Sequence, residues 1–258
     1  MKNVDVVIVN YRAVELTKKA VASVVDDPSL HEVLVFDNAS PDNDLEGLRE
    51  FAKNKPVRII ASVDNLGFGQ GNNSAVEASS AQYLFFLNCD AELFEGTLGD
   101  LSAELETDRG LGIVAPKVFL PDKATIQRDA QGIFPTFWRL LSGQTKRYVQ
   151  SQNPDWVSGV AFMARSKDFR DLGGFDKRYF MYYEDIDLCW RYRRSGKGIK
   201  INNQVKVFHL GGASHDSTPA QKANYFQSQE IYLRRIGTSR MALGLYRILR
   251  GLYGRKYQ

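Results

Sequence analysis

Short apolar runs alternate with segments of helical spacing in the first third of the chain. The predicted elements, in order, are the strand Val4 to Val9, the helix Leu16 to Val25, the strands His31 to Phe36 and Arg58 to Ala61, the helix Gly71 to Ser80 and the strand Tyr83 to Leu87. The runs VDVVIV and YLFFL are typical of strands buried on both faces. Strands that alternate with helices predict an α/β fold with a mostly parallel central sheet flanked by helices.

The pattern is less regular after Asp90. Residues Asp122 to Pro154 are rich in turn formers and polar side chains, which predicts a mobile loop. Strand-like composition returns in Trp156 to Arg165 and in Lys200 to His209.

Polar residues follow each predicted strand. These clusters are Asn10-Tyr11, Asp37-Asn38, Asp64-Asn65 and Asn88-Cys89-Asp90. In open α/β sheets, ligands bind beyond the carboxyl ends of the strands, so we expect the clusters to converge on one crevice. The last cluster offers a carboxylate and an amide oxygen, which suit a hard cation that neutralises a diphosphate. An Asx turn that only closes the strand is the alternative interpretation.

The segment Asp64 to Asn73 (DNLGFGQGNN) combines glycines and asparagines between a strand and a helix. Glycines let backbone N–H groups approach a phosphate, and a helix N-terminus favours negative charge. A dinucleotide-binding fingerprint competes, because Gly69-Gln70-Gly71 is followed about 20 residues later by Asp90. Against it, Ser74 occupies the sixth motif position, and the first strand is followed by Asn10-Tyr11-Arg12 instead of glycines.

Three acids stand close together in the segment Gly173 to Arg194. Glu184, Asp185 and Asp187 follow the aromatic-rich stretch Tyr179 to Tyr183 and begin a helical pattern. A carboxylate here could serve as a base that removes a proton from an attacking hydroxyl. Stabilisation of a helix N-terminus by acids is the alternative. His209 ends a strand-like run before Gly211, which suits either a metal ligand or a surface histidine.

Composition narrows the class of protein. The chain has 258 residues, 43% of them hydrophobic, which allows one large core. Its two cysteines, Cys89 and Cys189, lie far apart, so we expect neither a disulfide framework nor a zinc cluster. No stretch approaches the roughly 20 apolar residues of a spanning helix. We therefore expect a cytoplasmic protein.

The positive charge is concentrated at the end of the chain. Residues 231–258 contain six Arg and one Lys but no Asp or Glu, and the other 27 basic residues face 30 acidic ones. We expect one domain over residues 1–230, followed by a basic amphipathic helical tail, 231–258.

A helical wheel of the tail separates two faces. Met241, Leu245, Tyr246, Ile248, Leu249, Leu252 and Tyr253 share one side, and Arg240, Arg247, Arg250 and Arg255 lie on the other. Such a helix either docks peripherally on the inner membrane or packs on the protein's own core.

Taken together, these segments resemble the inverting glycosyltransferase family 2, and within it the bacterial rhamnosyltransferase-like branch. The blocks run in one order from about Val4 to Ser214: VIVNYR, VFDNAS, DNLGFGQGNN, FLNCD, VSGVAFMARS, GGFDKRYFMYYEDIDLCWRYRRSG and VFHLGGAS. The resemblance implies a GT-A fold, a nucleotide diphosphate-sugar donor, and Mg²⁺ or Mn²⁺. It also implies a nucleotide-sugar-binding half, 1–115, and an acceptor half, 116–230.

The resemblance implies roles for individual residues. Donor contacts would be Asn10, Tyr11, Asp37, Asn65, Gly67, Phe68, Asn72 and Asn88; metal ligands Asp90 and His209; acceptor contacts Trp156, Tyr183, Glu184 and Asp187. Asp185 would be the catalytic base, with Glu184 and Asp187 as acceptor contacts or helix caps. Members of this branch usually have Asn-Pro-Asp where this chain has Asn88-Cys89-Asp90, so the triplet leaves metal affinity open.

The implied activity is transfer of a sugar to a saccharide or lipid-linked saccharide in bacterial cell-surface polysaccharide synthesis. L-rhamnose from dTDP-rhamnose is the first choice of donor, a UDP-sugar the second, and no nucleic-acid partner is expected. A nucleotidyltransferase would need a glycine-rich loop after strand one, which Asn10-Tyr11-Arg12-Ala13 does not provide. A non-catalytic nucleotide-sugar-binding module would not need Asp90, Asp185 and His209.

Overall fold

The computed structural model describes residues 2–142, 148–211 and 218–254, with side chains described as far as residue 249. Its strands are β1 (Val4–Asn10), β2 (Leu30–Asn38), β3 (Val57–Ser62), β4 (Tyr83–Leu87), β5 (Ala91–Glu95), β6 (Leu111–Phe119), β7 (Gln131–Gly132), β8 (Trp156–Val157), β9 (Ala161–Arg165) and β10 (Gly198–His209). Its α-helices are α1 (Val14–Ala22), α2 (Asp42–Ala52), α3 (Phe68–Glu77), α4 (Leu98–Thr107), α5 (Phe137–Leu141), α6 (Ser166–Asp171), α7 (Glu184–Arg194), α8 (Pro219–Arg235) and α9 (Arg240–Gly254).

A single mixed sheet of eight strands forms the centre of the protein. The strand order is β3-β2-β1-β4-β9-β6-β10-β5. The pairs β2–β3, β1–β2, β1–β4 and β6–β10 are parallel, whereas β9 and β5 run antiparallel to their neighbours. The prediction of an α/β fold with a mostly parallel sheet is confirmed.

Both faces of the sheet are covered, as the apolar strand composition predicts. In β1, Val6 and Ile8 belong to one hydrophobic cluster and Val7 belongs to the other. All three side chains are completely buried. Successive strand residues point to opposite faces, so an apolar run such as VDVVIV supplies both layers of the core.

The segment Asp122 to Pro154, predicted to be a mobile loop, contains regular structure where it is described. A 3₁₀ turn at Arg128–Ala130 leads into β7, which pairs with β8. The side chain of Gln131 donates hydrogen bonds to the carbonyls of Val149 and Ser151. The segment predicted to be a mobile loop therefore contains short regular elements, and polar side chains bond it to itself. Residues 143–147 lie outside the described part.

The end of the chain forms two consecutive helices. Residue 230, the predicted domain boundary, lies inside α8, and Tyr232 and Leu233 of this helix are completely buried in the core. Helix α9 follows after a short connection. Among the described helices, none combines the length and apolar character that crossing a bilayer requires.

Candidate active site

The antiparallel pairing of β5 with β10 brings Asp90 and His209 together. In this register His209 lies opposite Ala91, the residue that follows Asp90. The Oδ1 atom of Asp90 is 3.1 Å from Nε2 of His209. The two residues predicted to hold a metal therefore face each other at one edge of the sheet.

Gln127 orients the His209 ring. Its Oε1 atom lies 3.0 Å from Nδ1 of the histidine, and its Nε2 donates to Asp129 at 2.9 Å. The bond to Asp129 assigns the amide so that its oxygen faces the ring, and Nδ1 therefore carries a proton. The histidine then presents Nε2 to Asp90, as in metal sites where an acceptor that does not touch the metal holds the other ring nitrogen. The pair accordingly fits a cation bound between nitrogen and carboxylate.

The three residues of the Asn88-Cys89-Asp90 triplet differ in their suitability as metal ligands. The Nδ2 atom of Asn88 lies 3.5 Å from Nε2 of His209. Burial, with the Asp90 carboxylate adding to it, raises the pKa of the Cys89 thiol to about 12, so the thiol stays protonated at neutral pH. Within the described ranges, no group of three or more His, Cys, Asp or Glu side chains is arranged to hold a metal ion. A metal at Asp90 and His209 would take its other ligands from solvent or from a bound phosphate.

A short segment of backbone connects Asp185 to this edge of the sheet. The backbone N–H of Gly159 donates to Oδ2 of Asp185 at 2.9 Å. The next residue, Val160, accepts a hydrogen bond from the backbone N–H of Asn88 at 2.8 Å, which extends the β4–β9 pairing. Asp185 and Asn88, which stands two residues before Asp90, thus bond to consecutive residues of the short turn before β9.

Gly159 permits this close arrangement. A Cβ atom at position 159 would lie 2.8 Å from the ring of Phe68 and 3.9 Å from Cβ of Asp185. The absence of a side chain therefore lets α3, the turn and the start of α7 pack together.

Asp187 is a structural acid. Its side chain is completely buried, and it accepts hydrogen bonds from Nε of Arg191 and Nε of Arg235, both at 2.7 Å. The hydroxyl of Tyr179 donates to it at 3.2 Å. The prediction that Asp187 contacts an acceptor is corrected, because its oxygens are occupied by protein groups in the interior.

The other predicted acceptor contacts are also buried. Trp156 donates from Nε1 to the carbonyl of Ile133 at 3.0 Å, and the hydroxyl of Tyr183 accepts from Gln229 at 3.0 Å. Trp156 is 0%, Tyr183 2% and Glu184 5% exposed. All three side chains are buried in the interior, which corrects their assignment as direct acceptor contacts.

The predicted nucleoside contacts meet at the ends of β1 and β2. Parallel register pairs Asn10 with Asp37, and Nδ2 of Asn10 donates to Oδ1 of Asp37 at 2.7 Å. Both side chains are buried, with Ser40 and Thr17 bonded to them. Tyr11 lies next to them with 43% of its surface exposed. Sheet register thus brings this set together, and Tyr11 is its accessible member.

The glycine-rich loop uses part of its backbone to bond to the protein itself. The backbone N–H groups of Leu66, Gly67 and Phe68 donate to Asn38, Asn65 and the carbonyl of Phe180 respectively. These three donors are therefore occupied by protein groups, and phosphate binding by the rest of the segment and the first turn of α3 stays a prediction.

Packing explains the glycine at the start of α3. Gly67 has a φ of +79°, and a Cβ there would lie 2.1 Å from the carbonyl oxygen of Phe180. Further along α3, the side chain of Asn72 is buried and donates to the carbonyl of Phe68 at 3.0 Å. The loop therefore packs against Phe180, in the segment before Asp185.

Two residues of the site were missed by sequence reasoning. Asn38 bonds Asn65 and the backbone of Leu66 and Gly67, and Gln127 holds His209. Asn38 stands in the Asp37-Asn38 strand-end cluster, which is a usable signal. Gln127 stands in the turn-rich segment, where no periodicity marks it. It also lines a cavity of about 420 Å³ formed by residues 120 and 125–129, which does not include Asp185.

Curated relatives share most of the chain. A low-salt glycan biosynthesis hexosyltransferase, Agl10, of Haloferax volcanii is 22% identical over 90% of this chain and 73% of its own length. An N-acetylglucosaminyl-diphospho-decaprenol L-rhamnosyltransferase of Mycobacterium tuberculosis is 26% identical over 78% of this chain and 74% of its own. The rhamnosyltransferase WbbL of Escherichia coli K12 is 26% identical over 83% of this chain and 85% of its own length.

Solved structures share the fold. GalNAc-T7 with UDP, GalNAc and Mn²⁺ superposes with a TM-score of 0.68 at 17% identity, covering 90% of this chain, which spans about half (48%) of that one. Staphylococcus aureus TarS 1–349 superposes with a TM-score of 0.65 at 12% identity. The match covers 96% of this chain and 69% of the TarS chain. The family model for glycosyl transferase family 2 matches residues 5–173. This match spans well over half of the sequence, and the chain belongs to glycosyl transferase family 2.

Proposed function

We propose that this chain is a metal-dependent, inverting glycosyltransferase that moves a sugar from a nucleotide diphosphate-sugar to an acceptor hydroxyl. The observation that carries the proposal is the link between Asp185 and the Asp90–His209 pair through Gly159, Val160 and Asn88. A base and a cation site linked through one turn suit a reaction in which a hydroxyl attacks a sugar while a diphosphate departs.

Asp185 would act as the base. Its carboxylate accepts hydrogen bonds from the backbone N–H groups of Gly159 and Ile186, which fix its direction. A fixed carboxylate that takes the acceptor proton during attack from the face opposite the leaving group gives an inverted product.

Asp90 and His209 would hold Mg²⁺ or Mn²⁺. Their carboxylate oxygen and imidazole nitrogen fit such an ion, with Gln127 keeping the ring in place. A bound ion would supply positive charge for the departing diphosphate. The GalNAc-T7 structure, which contains UDP and Mn²⁺, supports this assignment through fold alone.

The donor contacts would lie between the β1–β2 edge and α3. Tyr11 would contact the nucleoside, with Asn10 and Asp37 supporting that wall. Asn65, Gly67, Phe68 and Asn72 would shape the floor, with Asn88 near the metal. A dTDP- or UDP-sugar is the proposed donor class.

L-rhamnose from dTDP-rhamnose is our first choice of sugar, supported by the two rhamnosyltransferases at 26% identity. The mycobacterial relative is named for a lipid-linked acceptor, N-acetylglucosaminyl-diphospho-decaprenol. We propose a saccharide or lipid-linked saccharide acceptor for this chain, used in cell-surface polysaccharide synthesis. A catalytic domain that works in the cytoplasm at the inner face of the membrane suits this role.

A thermal-shift screen of nucleotide-sugars with and without Mn²⁺ tests the proposal. We expect one dTDP- or UDP-sugar to raise the melting temperature only when Mn²⁺ is present, because binding to the folded state stabilises it. Incubation of that donor with a saccharide acceptor should then yield a glycoside of inverted anomeric configuration by NMR. Retained configuration, or a panel of nucleotide-sugars without any stabilisation, would contradict it.

A further inference from the structure

Helix α9 has two apolar faces, and only one of them is covered. Leu243 and Tyr246 are each 3% exposed and pack into the core. Met241, Leu245 and Ile248 are 87%, 44% and 64% exposed. Their spacing of four and three residues places them on one side of the helix, and we call them the α9 stripe. Packing on the protein therefore does not account for these three residues.

The α9 stripe stands out from other exposed apolar residues. Within the described side chains, eight large hydrophobic residues are exposed, and four of them lie on α9 or on α5, which packs against it. The fourth is Trp138 of α5, which is 71% exposed. Single exposed apolar residues are normal on a protein surface, whereas a cluster on two packed helices indicates a surface that binds something.

The charge around the stripe selects the occupant. Residues 231–258 contain six Arg and one Lys without any acid, and Arg240 at the start of α9 is exposed. Glu230 of α8 pairs with both Arg234 and Arg247, and Arg235 pairs with Asp176 and Asp187. The remaining positive excess comes from Arg240, Arg250, Arg255 and Lys256, together with the two arginines that share one glutamate. Two copies meeting through this face would bring these arginines together, which costs energy. An anionic lipid surface offers complementary charge.

We propose that the α9 stripe inserts into the headgroup region of a bilayer that contains anionic phospholipid, with the exposed Arg240 and Arg247 of α9 contacting lipid phosphates. An interfacial helix of this type needs a modest apolar face and cations beside it. Trp138 adds an aromatic ring of the kind that favours the membrane–water interface.

The docking surface is connected to the start of α7. The hydroxyl of Tyr246, on the covered face of α9, donates to Oε1 of Gln229, whose Nε2 donates to the hydroxyl of Tyr183. Tyr183 is the residue that precedes α7 and lies two positions before Asp185. Docking would therefore hold Asp185 at a fixed distance from the lipid surface. This consequence, unlike docking itself, rests on the proposed function.

Vesicle sedimentation of the full chain tests the docking. The probes are vesicles of phosphatidylcholine alone and of phosphatidylcholine mixed with phosphatidylglycerol. We expect binding to the mixed vesicles that is at least about tenfold stronger than to the neutral ones and that weakens with salt. The combined variant Met241→Ser, Leu245→Ser and Ile248→Ser should lose at least about tenfold in binding, because burial of aliphatic groups is removed. All three side chains are exposed, so the fold should be unaffected, which circular dichroism checks.

Val63→Ser is the matched control, because Val63 is 95% exposed and lies outside α5 and α9. It should bind vesicles like the wild type. Equal binding of neutral and anionic vesicles, or unchanged binding by the triple variant, would overturn the proposal. So would light scattering that shows a dimer in the wild type and a monomer in the triple variant without vesicle binding. The assay contains no sugar donor, so its failure and a failure of glycosyl transfer are distinguishable.

Discussion

The Asp90–His209 edge of the sheet and the start of α7 both carry carboxylates, but the two regions treat them differently. At the sheet edge, Asp90 faces Nε2 of His209, and Gln127 holds the other ring nitrogen, Nδ1. At the start of α7, Asp187 is neutralised by two arginines, whereas Asp185 two residues earlier is held by backbone amides. An acid that is fully paired with cations stabilises the fold. An acid held by backbone amides keeps a fixed direction, which suits a base.

Replacing Asp185 should have the largest effect on activity among the substitutions considered. Asp185→Asn removes the proton acceptor while keeping its shape, and we expect kcat to fall about 10³-fold. Donor affinity should be unchanged, because the metal side is untouched. Initial rates and isothermal titration of the donor measure the two effects. Asp171→Asn on α6, an exposed acid paired with Lys167, is the control. A variant that keeps more than a tenth of the activity would remove Asp185 from the mechanism.

Asp187→Asn should act on stability. The substitution leaves Arg191 and Arg235 without their buried counter-charge, and we expect a loss of about 3–5 kcal/mol in the free energy of unfolding. Urea denaturation followed by circular dichroism measures it, again with Asp171→Asn as control. A loss below about 1 kcal/mol would show that the buried network is not what holds α8 against α7.

Gln127→Leu tests whether the sheet edge holds a metal. Loss of the acceptor beside Nδ1 frees the His209 ring, and we expect Mn²⁺ affinity to fall about 10- to 100-fold. Activity should recover at higher Mn²⁺ concentration, which a merely destabilised protein would not show. Gln204→Leu, an exposed substitution on β10, is the control. If the variant binds Mn²⁺ with unchanged affinity, Gln127 has no role in the metal site.

Glu230 is an acid paired with arginines near the surface, and its replacement should have the smallest effect on stability. Hydrogen bonds from Arg247, with Arg234 adding and burial opposing, lower its pKa from 4.5 to about 2. Because the pKa is lowered in the folded state, the stabilisation is complete above about pH 4.5 and is lost as the pH falls toward 2. Both arginines are about half exposed, so we expect Glu230→Gln to cost only about 1 kcal/mol at neutral pH. Urea midpoints across this pH range should fall less steeply in the variant; parallel curves would exclude the pair as a source of acid sensitivity.

The two regions also differ in how far sequence reasoning reaches. Apolar runs and strand ends predict the sheet, and the sheet register then brings Asn10 to Asp37 and Asp90 to His209. Asn10 meets Asp37 because parallel strands end at one edge of the sheet. Asp90 meets His209 because the start of β5 lies opposite the end of β10 in antiparallel register.

At the start of α7, sequence periodicity is not sufficient to predict the role of each acid. Which of the adjacent acids stays available depends on Arg235 and Gly159, which are distant in sequence. The same holds for Gln127, in a segment predicted as a loop, and for Gly67, whose conformation fits the carbonyl of Phe180 instead of a phosphate. Long-range packing that no local pattern encodes decides these details.

The central claim is that Asp90, His209 and Asp185 serve one site. Anomalous diffraction from crystals soaked with Mn²⁺ and dTDP or UDP tests it most directly. We expect a manganese peak about 2 Å from both Oδ1 of Asp90 and Nε2 of His209. The diphosphate should bind this ion, with its terminal β-phosphate directed toward Asp185. A peak bound by other residues, or a nucleotide whose diphosphate points away from Asp185, would contradict the account.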